Sequence, residues 1–215
     1  RQQQQNLVFG ALREYDLPIL RTLLGQQVTF HAPVNPDGTH DAMTPAARTG
    51  GKLERHKRIN GRVADGNVDL VFIGDSITHS WNKGLWAEAL GKYQPFNLGF
   101  SGDRTEHVLW RIGNGALDNL SPKVTVLMIG TNNTGQGEGQ PAEDTIQGIE
   151  AIIDQINDRL PDTKLIVHAV FPRDPKADGA KRLVNDTINK ALPEIAADKG
   201  AEFLDINHLE FIPEA

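Results

Sequence analysis

The chain has 215 residues, a formal net charge of −6 at pH 7 and no cysteine. That length suits one domain with a substantial core plus an extension, and the lack of cysteine excludes disulfides, thiolate metal sites and a cysteine nucleophile. The acidic balance argues against nucleic acid as a partner, because such binding rests on Lys and Arg neutralising phosphates, and no apolar run reaches the roughly 18 residues of a membrane span.

Residues 1–48 read as an N-terminal extension, with a polar start, a helix over 10–24 and a loop rich in Pro, Gly, Asp and Thr over 32–45. Tyr15, Leu17, Ile19, Leu20, Leu23 and Leu24 form an apolar face. It is expected to dock on the main domain or on a partner, since a loose helix of this length is marginal in water. From 49 to 215 the pattern alternates between strand and helix. Strands are expected near 69–74, 94–98, 123–130, 164–171 and 201–206. Helices are expected near 52–65, 82–92, 105–117, 141–160 and 177–199. The clearest helix starts at Pro141, with Glu143 and Asp144 in its first turn and Ile146, Ile149, Ile153, Ile156 and Leu160 at three- and four-residue spacing. Alternation of this kind implies an α/β fold with a parallel sheet of about five strands, right-handed crossovers and helices on both faces.

Three strand ends carry polar residues suited to chemistry. The apolar run Leu70-Val71-Phe72-Ile73, a pattern expected of a strand covered on both faces, stops at Gly74-Asp75-Ser76 and leaves the Ser76 hydroxyl at the tip. In an open α/β sheet such tips are where ligands bind. A serine attacks a carbonyl only if a base takes its proton and donors hold the resulting oxyanion. The loop after the second strand contains Gly102, and the third strand ends in Gly130-Thr131-Asn132-Asn133. The Ser76 backbone N–H, the Gly102 N–H and the Asn132 amide would make a three-donor oxyanion hole. Each loop taken singly also fits an ordinary strand-end turn, with Asn132 as a helix cap.

The stretches Gly74-Asp75-Ser76-Ile77-Thr78, Asn97-Leu98-Gly99-Phe100-Ser101-Gly102-Asp103-Arg104-Thr105 and His107-Val108-Leu109-Trp110-Arg111 match a known pattern. So do Gly130-Thr131-Asn132-Asn133 and Val170-Phe171-Pro172-Arg173. Over about 51–209 the chain resembles the SGNH (GDSL-type) hydrolases, in the branch of the platelet-activating-factor acetylhydrolase catalytic subunits. The resemblance implies a flavodoxin-like, three-layer α/β/α hydrolase domain. It also implies Ser76 as nucleophile, and Ser76, Gly102 and Asn132 as the oxyanion hole. Ser101 stands where this branch more often has glycine, and His79 where it often has glutamine.

The family's fourth motif, Asp-x-x-His, supplies the base and its orienting carboxylate. Asp205-Ile206-Asn207-His208 has that spacing, so Asp205 and His208 are the in-chain candidates. Their setting is a strand end, however, whereas the family pair lies about twenty residues further on. The domain is therefore expected to be shortened at its C-terminus. Asp37 and His40 share the spacing in the N-terminal loop. The expected activity is hydrolysis of short acyl esters, acetyl above all, through an acyl-enzyme on Ser76, with a carbohydrate or lipid ester as substrate. The alternative is a non-catalytic SGNH-fold binding or interaction module.

Among the other polar residues, Asp75 is expected to cap the helix that Ser76 opens, Asp103 to brace its loop by accepting backbone hydrogen bonds, and Arg111 to be an ion-pair partner. Trp110 and His168 are expected in the core. The seven histidines show no metal-ligand spacing, and neither Walker nor Gly-x-Gly-x-x-Gly glycines are present, so no metal and no cofactor are expected. A homodimer is compatible with these features. No leader is visible, but a chain opening Arg-Gln-Gln-Gln-Gln is expected to have lost its natural start. Cytoplasmic and secreted or periplasmic placement both remain allowed.

Overall fold

A computed structural model describes residues 41–63, 68–135, 139–174 and 176–208. The helix expected over 10–24 and the Asp37/His40 pair lie outside the described residues. The elements in chain order are α1 (Gly51–Val63), β1 (Leu70–Gly74), α2 (Ser76–His79), α3 (Lys83–Leu90), β2 (Pro95–Gly99), α4 (Thr105–Gly113) and β3 (Val124–Met128). They continue with α5 (Thr131–Gly135), α6 (Ala142–Arg159), β4 (Lys164–His168), α7 (Ala180–Asp198) and β5 (Glu202–Leu204). The five strands form one parallel sheet in the order β2-β1-β3-β4-β5, the flavodoxin-like order within a three-layer α/β/α architecture.

The connections explain the layers. From β2 the chain crosses back over β1 to β3 and then steps outward to β4 and β5. Right-handed crossovers put α4, α6 and α7 on one face, where α6 packs against both neighbours. The β1-to-β2 step runs the other way and puts α3 on the opposite face, with Trp86 against Phe72 at 4.9 Å between ring centres. The strand order therefore reverses at β1, and ligands of such sheets bind at that switch point, outside the strand C-termini. Ser76 follows β1 there.

The two faces of the sheet differ in burial. Val71, Ile73, Phe96, Leu98, Leu127, Leu165 and Val167 are buried against α6 and its neighbours, together with Ile149, Ile152, Ile153 and Ile156. Phe72, Val126, Met128 and Ile166, which alternate with them, are only half-buried. On β1 this second face is covered in part, with Trp81 and Trp86 against Phe72. Among the described residues the second face is served by α3, which buries none of its own side chains, and Leu85 there is 66% exposed. An apolar strand shows that a side chain prefers burial, not that a neighbour supplies it.

Smaller differences have local causes. Pro141 takes the cap position, one residue ahead of the first helical residue of α6, with Glu143 and Asp144 in the first turn as expected. No helix among the described residues is long and apolar enough to cross a membrane.

Candidate active site

Ser76 opens the one-turn helix α2. Its neighbour Asp75 is buried and caps that helix, accepting the Ile77 N–H at 2.9 Å. The helix lies directly on the end of β2. A Cβ at Gly99 would collide with the backbone of Thr78 and His79, so only glycine permits this approach. Asn97 completes the seat, donating from Nδ2 to the Thr78 carbonyl at 2.6 Å and accepting the Gly99 N–H at 2.9 Å. Sequence reading attached no role to Asn97, whose part emerges only when β1 and β2 are paired.

Burial pushes the Asp75 carboxyl up to about 6; the Ile77 N–H and the Arg173 guanidinium oppose that shift, and the nearby Asp103 adds to it. Arg173 is held by its own contacts, donating from Nε to Thr131 Oγ1 at 2.9 Å and lying against Gly135. The sequence signal for Arg173 was the stretch Val170-Phe171-Pro172-Arg173, which carried no role by itself.

Gly102 follows β2. The Asp103 N–H donates to the Phe100 carbonyl at 3.0 Å, and Gly102 has φ of 76°. A closed four-residue turn with positive φ at its third position is the type II pattern, which calls for glycine there. Behind it, Asp103 is fully buried and accepts both Arg111 Nε at 2.6 Å and Arg111 Nη2 at 3.1 Å. The expectation that Asp103 accepts backbone hydrogen bonds is thereby corrected: its carboxylate takes a guanidinium from the last turn of α4, as Arg111 was expected to provide. Burial raises the Asp103 carboxyl, and Arg111 opposes the rise.

Asn132 stands on α5, beyond β3, and is buried. Its Nδ2 donates to the Asp103 carbonyl at 2.9 Å, which ties the loop after β3 to the loop after β2 across the end of β1. An amide has two N–H bonds, so one remains for a ligand. Asn133, next in the chain, is spent on the scaffold. It accepts the Thr105 N–H at 3.1 Å and donates to Thr105 Oγ1 at 2.7 Å and Gln140 Oε1 at 2.6 Å.

The structure thus gathers Ser76, Gly102 and Asn132 at the C-terminal ends of β1, β2 and β3, three neighbouring strands. It does not bring Asp205 and His208 to them. Both are exposed and follow β5, which is separated from β1 by β3 and β4, about 14 Å at the usual strand spacing. Asp205 Oδ1 accepts the Asn207 N–H at 2.8 Å in a local turn, and its carboxylate makes no hydrogen bond to His208 among the described residues. His168 is buried at the end of β4, with Nδ1 2.6 Å from the Ala169 carbonyl and its ring edge-on to Phe171. His79 Nδ1 meets Ser101 Oγ at 2.9 Å. Among the described residues, the Ser76 hydroxyl hydrogen-bonds no imidazole.

Comparison with known proteins bears on the family and the fold. The sequence model of the GDSL-like Lipase/Acylhydrolase family matches residues 72–214. Platelet-activating factor acetylhydrolase IB subunit alpha2 from Rattus norvegicus is 36% identical over 159 residues, covering 72% of this chain and 66% of that protein. The Homo sapiens counterpart is 36% identical over 148 residues, covering 67% and 63%. The chain thus spans a little under two thirds of the length of these relatives. Among solved structures, a GDSL-like lipase from Bacteroides thetaiotaomicron superposes with a TM-score of 0.59 at 20% identity, covering 70% of this chain and 77% of that one. An acetylxylan esterase from Geobacillus stearothermophilus gives 0.55 at 16% identity, covering 65% and 76%; both show the shared fold. The chain belongs to the GDSL-like lipase/acylhydrolase family.

Proposed function

We propose that the chain is a serine esterase acting on short acyl esters, with Ser76 as nucleophile. Ser76 Oγ attacks the ester carbonyl and its proton passes to a base. The carbonyl oxygen becomes an oxyanion held by the Ser76 N–H, the Gly102 N–H and the free Asn132 Nδ2–H. Collapse expels the alcohol, which takes the proton, and leaves the acyl group on Ser76; water then repeats the sequence and releases the acid. The observation that carries this reading is the buried Asn132 amide, fixed on the Asp103 carbonyl beside the Ser76 turn. Donors held in place before reaction cost nothing to reorganise as charge develops. The name of the alpha2 relatives, acetylhydrolase, supports acetyl as the acyl group.

Asp205 and His208 have the spacing of a base and its orienting carboxylate but follow the outer strand β5. They serve Ser76 only if the segment after β5 folds back over the strand ends. This favours a second reading, a binding module of the same fold that does not turn over. Hydrolysis of p-nitrophenyl acetate separates the two. An esterase loses activity on Ser76→Ala and slows by about 10²–10³ on Asn132→Ala. Equal rates for wild type and Ser76→Ala would refute the assignment.

A further inference from the structure

The one-turn helix that begins with Ser76 and the turn that carries Gly102 are tied together by two side chains. His79, the last residue of α2, has its ring Nδ1 2.9 Å from Ser101 Oγ. A hydroxyl both donates and accepts, so this bond forms with either neutral tautomer of the ring. The main chain of His79 is a fixed post. Its N–H donates to the Asp75 carbonyl at 2.9 Å, and its backbone lies against Gly99 at the end of β2.

The turn from Phe100 to Asp103 is held at both ends. The Phe100 N–H donates to the Gly74 carbonyl at 3.0 Å, the Asp103 N–H to the Phe100 carbonyl at 3.0 Å, and Asn132 Nδ2 holds the Asp103 carbonyl. In the middle, the N–H groups of Ser101 and Gly102 make no backbone hydrogen bond among the described residues. The peptide that joins these two residues carries the Gly102 N–H. Type I and type II turns differ by turning that peptide over, and glycine at the third position admits both because it takes φ of either sign. The Gly102 φ of 76° is the type II state. With the peptide turned over, the Gly102 N–H would face the other way and be lost as a donor.

We propose that His79, acting through Ser101, is a positioning residue for the oxyanion donor Gly102. The inference rests on the esterase reading of Ser76. Ser101 is the residue whose ψ changes when the peptide turns over, and its bond to His79 fastens it to the helix that carries the nucleophile. The pair thereby favours one direction of the Gly102 N–H and keeps it in register with the Ser76 N–H.

Steady-state hydrolysis of p-nitrophenyl acetate by the intact chain tests this. His79→Ala and Ser101→Ala should each lower kcat by about two- to ten-fold, the span of one ordinary hydrogen bond, with KM unchanged. The double variant should be no slower than the slower single one, because both remove the same bond. His79→Asn should recover most of the loss, since its amide atoms hang from Cγ as Nδ1 does. His79 is exposed and Ser101 half-buried; if His79→Ala unfolds, Ser101→Ala removes the same bond and leaves α2 untouched. Undiminished kcat in both single variants, losses that multiply in the double variant, a change in KM alone, or no recovery in His79→Asn would overturn the inference while Ser76→Ala remains inactive. Equal rates for wild type and Ser76→Ala would instead refute the esterase reading, and this inference with it.

Discussion

Asn132 and Asp103 are joined by a hydrogen bond from the amide Nδ2 to the main-chain carbonyl at 2.9 Å. That bond spans the gap between the loops after β3 and β2, with the Ser76 turn between them. Adjacent asparagines therefore divide the labour. Asn132→Ala is expected to slow ester hydrolysis by about 10²–10³ while lowering stability by only about 1 kcal/mol for the lost bond. Asn133→Ala strands the buried Thr105 N–H and should destabilise by about 1–3 kcal/mol. Urea unfolding and kcat measured on both variants check this; a larger stability loss for Asn132→Ala would reverse the roles.

Asp75 makes stability depend on pH in a defined direction. Its carboxyl is raised from 3.8 to about 6 by burial, so between these values the folded chain holds a proton that the unfolded chain releases. Stability attributable to this group is highest below about 4, falls as pH rises toward 6 and stays lowered above it. Asp75→Asn keeps a cap oxygen for the Ile77 N–H and removes the ionisation. The variant should be more stable than wild type at pH 7, by at most about 3 kcal/mol, with the gap closing near pH 4. Thermal unfolding at both pH values decides it, and a gap independent of pH would contradict the argument.

The Asp103–Arg111 pair should behave as a buried ion pair. Arg111→Ala leaves a fully buried carboxylate without its partner and is expected to cost about 3–5 kcal/mol. The loss should be smaller in the Asp103→Asn/Arg111→Met double variant, where no charge is left stranded. Chemical denaturation of the two variants gives the comparison. Equal losses would mean that the stranded charge is not what is costly.

The unequal faces of the sheet predict unequal packing losses. Leu165 is 3% exposed, and Leu165→Ala should cost about 2–5 kcal/mol. Its neighbour Ile166, on the half-buried face, should cost clearly less on truncation to Ala. Similar losses at both positions would show that the second face is covered in solution.

The repeating strand–helix pattern and the glycine-bounded strand ends were legible in the sequence because each is local. Expected and observed strands coincide to within a few residues, with β5 shorter than its apolar run suggested. The positions of Ser76, Gly102 and Asn132 at neighbouring strand tips follow once five parallel strands are accepted. What stayed hidden depends on partners distant in sequence. Asn97 seats α2 only because β2 lies beside β1, Arg173 comes near Asp75 only because β4 is two strands from β1, and the Asn133 clamp needs both Thr105 and Gln140. The spacing of Asp205 and His208 was visible, but spacing says nothing about which strand a pair follows.

Reaction of the intact chain with a fluorophosphonate ester, followed by peptide mass spectrometry, tests the central claim most directly. A serine esterase of this design should carry the phosphonyl adduct on Ser76, with labelling lost in Ser76→Ala and slowed in Asn132→Ala. An unlabelled chain, or an adduct confined to another serine such as Ser101, would contradict it.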